Sequence, residues 1–184
     1  MKRIFVIGYM GSGKTTVGKR LATYLSLSFI DLDHFIEGKY MKTIPRLFEE
    51  VGEEKFRKIE SVALQEVAAF EDVVVATGGG TPCFYDNMEV MNDSGVTVYI
   101  EADAEELTNR LMASKGVRPL IKGKSREELL PFVAKHLAER ESFYNQAKII
   151  YHTDSMITKE EVYLTVEGIA EELRNIYGEN ERQK

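Results

Sequence analysis

A strand that runs straight into a glycine loop and then a helix opens the chain, and it constrains the fold more than any other stretch. Arg3-Ile4-Phe5-Val6-Ile7 is an apolar run of strand length. Gly8, four intervening residues and then Gly13-Lys14-Thr15 give the P-loop spacing G-x-x-x-x-G-K-[ST]. Glycines let successive backbone amides curl into a concave nest around phosphate oxygens. A helix starting near Lys14 turns the positive end of its dipole towards the same anion. There Lys14 reaches the β- and γ-phosphates and the Thr15 hydroxyl can ligate Mg2+. Gly11, Ser12, Gly13, Lys14, Thr15 and Thr16 are the candidate contacts to a nucleoside triphosphate.

The rest of the chain supplies the alternation that such a strand needs. Val17, Leu21 and Leu25 recur at helical spacing after Lys14, and Leu27 to Asp31 reads as a second strand ending in acids. Asp33 follows, with a helix suggested by Phe35, Ile36 and Tyr40. From Thr43 to Phe70 two helical stripes meet at a break at Gly52. Val73-Val74-Val75-Ala76 is an unbroken run of the kind found in a parallel strand covered on both faces, and it ends in Thr77-Gly78-Gly79-Gly80-Thr81-Pro82.

A helix over 86–92, a strand over 96–100 and a helix over 103–113 with Asp103 as N-cap come next. Residues 114–124 are basic and carry Gly and Pro, which suggests a mobile lid. Ser125 to Glu128 has the form of a capping box, Pro131 limits or bends the turn after it, and Phe132 to Ala147 continues as helix. A fifth strand over 148–151 and an amphipathic helix over 158–177 precede a polar tail expected to fray. Five strands alternating with helices, without repeat or linker, predict one α/β domain over 1–184. Its form is a three-layer αβα P-loop type with a five-stranded parallel sheet.

Charge and cysteine usage narrow the function. A net charge of −6 argues against general binding to nucleic acid or a membrane surface, so an anionic substrate would need locally placed arginines. Cys83 is the single cysteine, and His34, His136 and His152 lack metal-ligand spacing. No apolar run approaches the roughly 20 residues that span a bilayer. The start reads as strand and P-loop rather than signal peptide, so a cytoplasmic enzyme is the expectation. Nothing marks a dimer stripe, and a monomer is expected.

In a doubly wound sheet, ligands sit beyond the carboxyl ends of the strands. Three such ends are chemically unusual here: 8–15, 31–33 and 78–80. At this point the chain resembles the shikimate kinases. The resemblance is carried by Gly-Tyr-Met-Gly-Ser-Gly-Lys-Thr (8–15), Phe-Ile-Asp-Leu-Asp (29–33) with Ile36-Glu37, and Phe56-Arg57-Lys58-Ile59-Glu60. Thr77-Gly78-Gly79-Gly80, Arg118-Pro119-Leu120 and Arg140-Glu141-Ser142-Phe143-Tyr144 complete it. It implies ATP-dependent phosphorylation of the shikimate 3-hydroxyl, a step towards aromatic amino acids, with Mg2+ as cofactor and shikimate and ATP as the small-molecule partners.

The resemblance also implies roles. Arg57 and Arg140 match the arginines that contact the substrate carboxylate, for which planar guanidinium forks are suited, and Glu60 could orient Arg57. Asp33 matches the aspartate that binds the ring hydroxyls, a substrate ligand first and a general base second. Asp31 would hold a Mg2+-bound water while Thr15 ligates the ion, although two acids after a strand are also what a helix cap looks like. Gly78, Gly79 and Gly80 let the backbone approach the substrate, with the Gly79 amide as the usual contact. The substrate region is expected over about 33–60. Arg118 matches the lid arginine that closes on the ATP phosphates and, with Lys14, stabilises charge on the transferred group.

Two departures concern adenine. Where many relatives carry an adenine-stacking arginine seven residues before the lid arginine, Leu111 stands, with Arg110 beside it. The later adenine loop, expected near 152–155, has no strong signature. Another small-molecule P-loop kinase, acting on gluconate or a nucleoside monophosphate, would share Lys14, Thr15 and the lid. It would have no use for Arg57, the glycine triplet and Arg140 together. A nucleotide-binding regulatory module would not need all of Lys14, Thr15, Asp31, Asp33 and Arg118.

Overall fold

The computed structural model describes residues 2–114, 121, 123–153, 156 and 158–182. Strand β1 (Arg3–Ile7) is the middle strand of a five-stranded sheet ordered β2-β3-β1-β4-β5. Its companions are β2 (Ser28–Asp31), β3 (Val73–Ala76), β4 (Val96–Glu101) and β5 (Ile149–His152). Every pairing is parallel, with Ile4 opposite both Val74 and Val96. All five carboxyl ends therefore lie on one edge.

Period-two alternation in β1 divides the core. Ile4 and Val6 pack in one layer with α1 (Lys14–Leu25) and α7 (Lys159–Arg182). Phe5 and Ile7 pack in the other, with α2 (Leu32–Tyr40), α3 (Ile44–Ala68), α4 (Asn87–Ser94), α5 (Ala104–Ala113) and α6 (Arg126–Tyr144). Both faces are covered, which is why β1 and β3 read as unbroken apolar runs. This is the three-layer αβα architecture expected from the sequence. Among the described residues no helix is long and apolar enough to cross a membrane.

The local departures have local causes. Helix α3 breaks at Gly52 (φ 77°, ψ 169°), as the two stripes suggested. The capping box forms, and Glu128 Oε2 accepts from the Ser125 N–H at 2.9 Å. Helix α6 then runs through Pro131 without ending, because the one bond lost, to the Glu127 carbonyl, lies on an exposed turn. Helix α7 continues past Tyr177 to Arg182, so the expected frayed tail is helical there. Gly178 costs about 1 kcal/mol relative to Ala but does not stop a helix that good helix formers follow. Asp103 stands at the N-cap of α5 without a side-chain capping bond, and Glu105 and Glu106 supply first-turn charge instead.

Gly95, between α4 and β4, fits the start of β1. A Cβ there would lie 2.7 Å from Arg3 Cβ and 2.9 Å from the Arg3 carbonyl carbon. Main chain in a central strand cannot yield, so Gly95→Ala is expected to cost about 3 kcal/mol. A thermal melt should show a fall of roughly 10 °C, and an unchanged melting temperature would mean that α4 can move away from β1.

Candidate active site

Beyond Ile7 the chain turns through Gly8 (φ 147°), Gly11 (φ 84°) and Gly13 (φ 94°), backbone conformations that a Cβ would strain. Gly13 is the N-cap of α1 and supplies no side chain, so the first amides of the helix stay available to an anion. Lys14 is 9% exposed, and its Nζ donates to Tyr9 O at 2.8 Å, which holds it in the loop.

At the end of β2 one carboxylate serves two purposes. Asp31 Oδ1 accepts from the Asp33 and His34 amides at 3.1 and 3.3 Å, capping α2, while Oδ2 accepts from Thr15 Oγ1 at 2.9 Å. The cap that the sequence offered for Asp31 is formed, and its second oxygen stays on the side of Thr15. A hydroxyl and a carboxylate beside the phosphate loop are the hard oxygen donors that Mg2+ takes while keeping several of its waters. Among the described residues no group of three or more acidic, His or Cys ligands is present. The Thr15 hydroxyl and the Asp31 carboxylate fit a Mg2+ ion carried largely by water and ligand phosphates.

Asp33 lies in the first turn of α2. Burial, then the Asp31 and Glu60 charges, push its carboxyl from 3.8 up to about 6, with Lys14 opposing. A carboxyl placed there can exchange a proton near neutral pH.

The glycine triplet after β3 has no left-handed residue. Its three glycines share something else, which is that other groups occupy the places of their missing Cβ atoms. A Cβ on Gly78 would lie 2.9 Å from Glu60 Oε1 and 3.2 Å from Asp33 Oδ1. On Gly79 it would meet Met10 N at 3.2 Å, and on Gly80 Arg57 Nη1 at 3.0 Å. The triplet is what allows α3, the P-loop and Asp33 to close on one turn.

Arg57 and Arg140 border that turn from two helices. Arg57 Nη1 donates to Glu60 Oε2 at 2.9 Å, and its guanidinium lies 4.3 Å from the Phe84 ring centroid. Glu60, 1% exposed, also accepts from Thr81 Oγ1 at 2.7 Å. Arg140 Nη1 reaches Gly79 O at 3.5 Å, with its guanidinium 5.3 Å from the Tyr9 ring centroid. Lys14, Thr15, Asp31, Asp33, Gly78 and Gly79 line one cleft of about 350 Å3. Gly80, Arg57 and Arg140 do not line that volume and adjoin it through the triplet. Arg118, and with it residues 115–120 and 122 of the expected lid, lie outside the described residues, as do 154 and 155 of the expected adenine loop.

Helical phase turns Leu111 away from the cleft. Leu111 is 4% exposed and shares the core face of α5 with Leu107. Arg110 also lines the cleft, donating to Glu106 Oε1 at 2.7 Å and Ser12 O at 3.3 Å. The Leu107/Leu111 spacing carried that information in the sequence. Met156, whose methyl group lies over Gly13, had no such signal.

A family model described as "Shikimate kinase" matches residues 10–171. The sequence is 55% identical over 163 residues to a shikimate kinase of Parabacteroides distasonis, covering 89% of this chain and 94% of that one. A crystal structure of shikimate kinase from Bacteroides thetaiotaomicron is 46% identical with a TM-score of 0.91, over 94% of this chain and 98% of that one. The shikimate kinase of Acinetobacter baumannii, solved in complex with shikimate, is 34% identical with a TM-score of 0.79, over 95% and 94%.

Proposed function

The chain belongs to the shikimate kinase family, and from that premise we propose how its own residues transfer the γ-phosphoryl group of ATP to the 3-hydroxyl of shikimate. The acceptor oxygen forms a bond to phosphorus as the bond to the bridging oxygen of ADP breaks. The hydroxyl proton passes to Asp33, whose raised pKa suits it to the task. Lys14 and the amides of the P-loop hold the phosphates, and Arg118 adds charge to the transferred group. Thr15 and Asp31 would hold Mg2+, which would supply positive charge beside the phosphates.

Shikimate is a small ring with one carboxylate and three hydroxyls. Its carboxylate goes to the Arg57 and Arg140 guanidiniums, its ring hydroxyls to Asp33, and one of its oxygens to the Gly79 amide. Gly78 and Gly80 keep that turn open to Asp33 and Arg57. The purine end lies against Arg110 and Met156, which adjoin Ser12 and Gly13.

One observation carries this reading. Lys14, Asp33 and the glycine turn share a cleft of about 350 Å3, and two guanidiniums adjoin that turn. The volume suits a small polar acceptor facing a phosphate chain. Purified protein with Mg-ATP is expected to release ADP in proportion to added shikimate, at roughly 1–100 per second. Gluconate or a nucleoside monophosphate in its place should leave ADP release at background. Absence of shikimate-dependent ADP would overturn the assignment.

A further inference from the structure

We infer that Tyr144 is a positioning residue for the acceptor, acting through Gly79 and Arg140; this rests on the assignment of both to the shikimate site. A turn of three glycines has no side chains to anchor it, so its shape depends on where its peptide groups bond. The Gly78 carbonyl accepts from the Thr81 amide at 3.2 Å and the Gly80 carbonyl from the Cys83 amide at 2.9 Å, both within the turn. The middle carbonyl goes elsewhere. Gly79 O accepts from the Tyr144 hydroxyl at 2.6 Å, across 65 residues of sequence.

The rest of Gly79 is confined from the opposite direction. A Cβ on it would lie 3.2 Å from the Met10 amide nitrogen and 3.4 Å from Gly8 O. The Gly79 carbonyl tied to α6 shares its peptide plane with the Gly80 N–H, and the Gly79 N–H shares its plane with the Gly78 carbonyl that the Thr81 amide holds. With its α-carbon against the P-loop and both flanking peptide planes bonded, Gly79 keeps its own N–H directed at a bound acceptor.

Arg140, one turn before Tyr144 on α6, reaches the same Gly79 oxygen at 3.5 Å. One carbonyl with two lone pairs thus ties the guanidinium and the glycine turn into a single unit. Tyr144 is suited to this because packing confines it. It is fully buried, and its ring lies 4.9 Å from that of Tyr99 on β4 with an interplanar angle of 31°. Burial pushes its phenol above the ordinary value, so it stays a donor across working pH.

Tyr144→Phe removes one oxygen and keeps the ring. The KM for shikimate is expected to rise about five- to tenfold, with the KM for ATP and kcat within about twofold of wild type. Arg140→Lys, measured alongside, should also raise the KM for shikimate. A Tyr144→Phe enzyme whose only change is a lower melting temperature would overturn the inference, as would equal losses towards both substrates. If Arg140→Lys raises the KM for shikimate and Tyr144→Phe does not, the inference fails and the acceptor site stands. If neither variant moves it, the acceptor-site assignment fails as well.

Discussion

Replacing Asp33 with asparagine is expected to yield a protein that melts above the wild type and transfers almost no phosphoryl group. The loss follows from chemistry: an amide cannot take the acceptor proton, and it presents a neutral group to the ring hydroxyls. A fall in kcat/KM for shikimate of about 10^2- to 10^4-fold is expected, with ATP affinity within about twofold, because the phosphates are held by the P-loop and not by Asp33.

The gain follows from linkage. Burial and neighbouring negative charge hold the Asp33 carboxyl at about 6 against 3.8 in the unfolded chain. The shift is opposite to that of a salt-bridged aspartate. Between about pH 4 and pH 6 the folded state binds more protons than the unfolded one, so wild-type stability falls as pH rises through that window. Above it the cost of the ionised group is complete, roughly 1–3 kcal/mol. The variant should therefore melt roughly 5 °C higher at pH 7, and the two proteins should converge towards pH 4. Melts at both pH values and steady-state kinetics with shikimate check the two halves. Retained transfer would remove Asp33 from the acceptor site, and a gain independent of pH would assign the stability change to something other than charge.

Glu60→Ala should destabilise the fold and weaken acceptor binding together. Glu60 is almost wholly buried between Arg57 Nη1 and Thr81 Oγ1, at 2.9 and 2.7 Å. Its removal leaves a guanidinium that is only 15% exposed without its inner counter-charge, and a fully buried hydroxyl without its acceptor. Breaking one side of a buried ion pair costs about 3–5 kcal/mol, a large part of a stability of about 5–15 kcal/mol. A melt should fall by roughly 10 °C. Arg57, no longer held against Gly80, should bind the acceptor carboxylate less well, raising the KM for shikimate about tenfold or more. Glu60→Gln keeps an acceptor for Thr81 and should fall between the two. A Glu60→Ala protein with wild-type melting and an unchanged KM would show that the outer pairing of Arg57 with Glu53, at 3.5 Å on the exposed side of α3, suffices to place the guanidinium.

The P-loop, the acids at the end of β2 and the glycine triplet were legible because each lies within a few consecutive residues at a strand end. Strand alternation with helices likewise pointed to the parallel sheet. The features that escaped the sequence depend on phase or distance. Arg110 rather than Leu111 lines the cleft because Leu111 shares the core face of α5 with Leu107. Met156 lies over Gly13 although more than 140 residues separate them in the chain. Pro131 and Gly178 look like punctuation in the sequence, yet α6 and α7 continue through them. One lost bond on an exposed turn, or one glycine, is a small cost beside the packing of a whole helix.

By itself the sequence determined that this chain carries a P-loop at the end of its first strand, together with two arginines, an aspartate and a glycine triplet suited to an acidic acceptor. Spacing over a few residues fixes those features, because strand, turn and helix are locally encoded. Only the tertiary structure decided how they support one another. Asp31 divides its two oxygens between a helix cap and Thr15, and Glu60 holds Arg57 against Gly80. The triplet is glycine because Glu60, Asp33, the P-loop backbone and Arg57 fill the space that side chains would take, and Tyr144 ties its middle carbonyl to α6. Those contacts join residues far apart in the chain, and only the packing of helices on a sheet of definite strand order brings them within bonding distance.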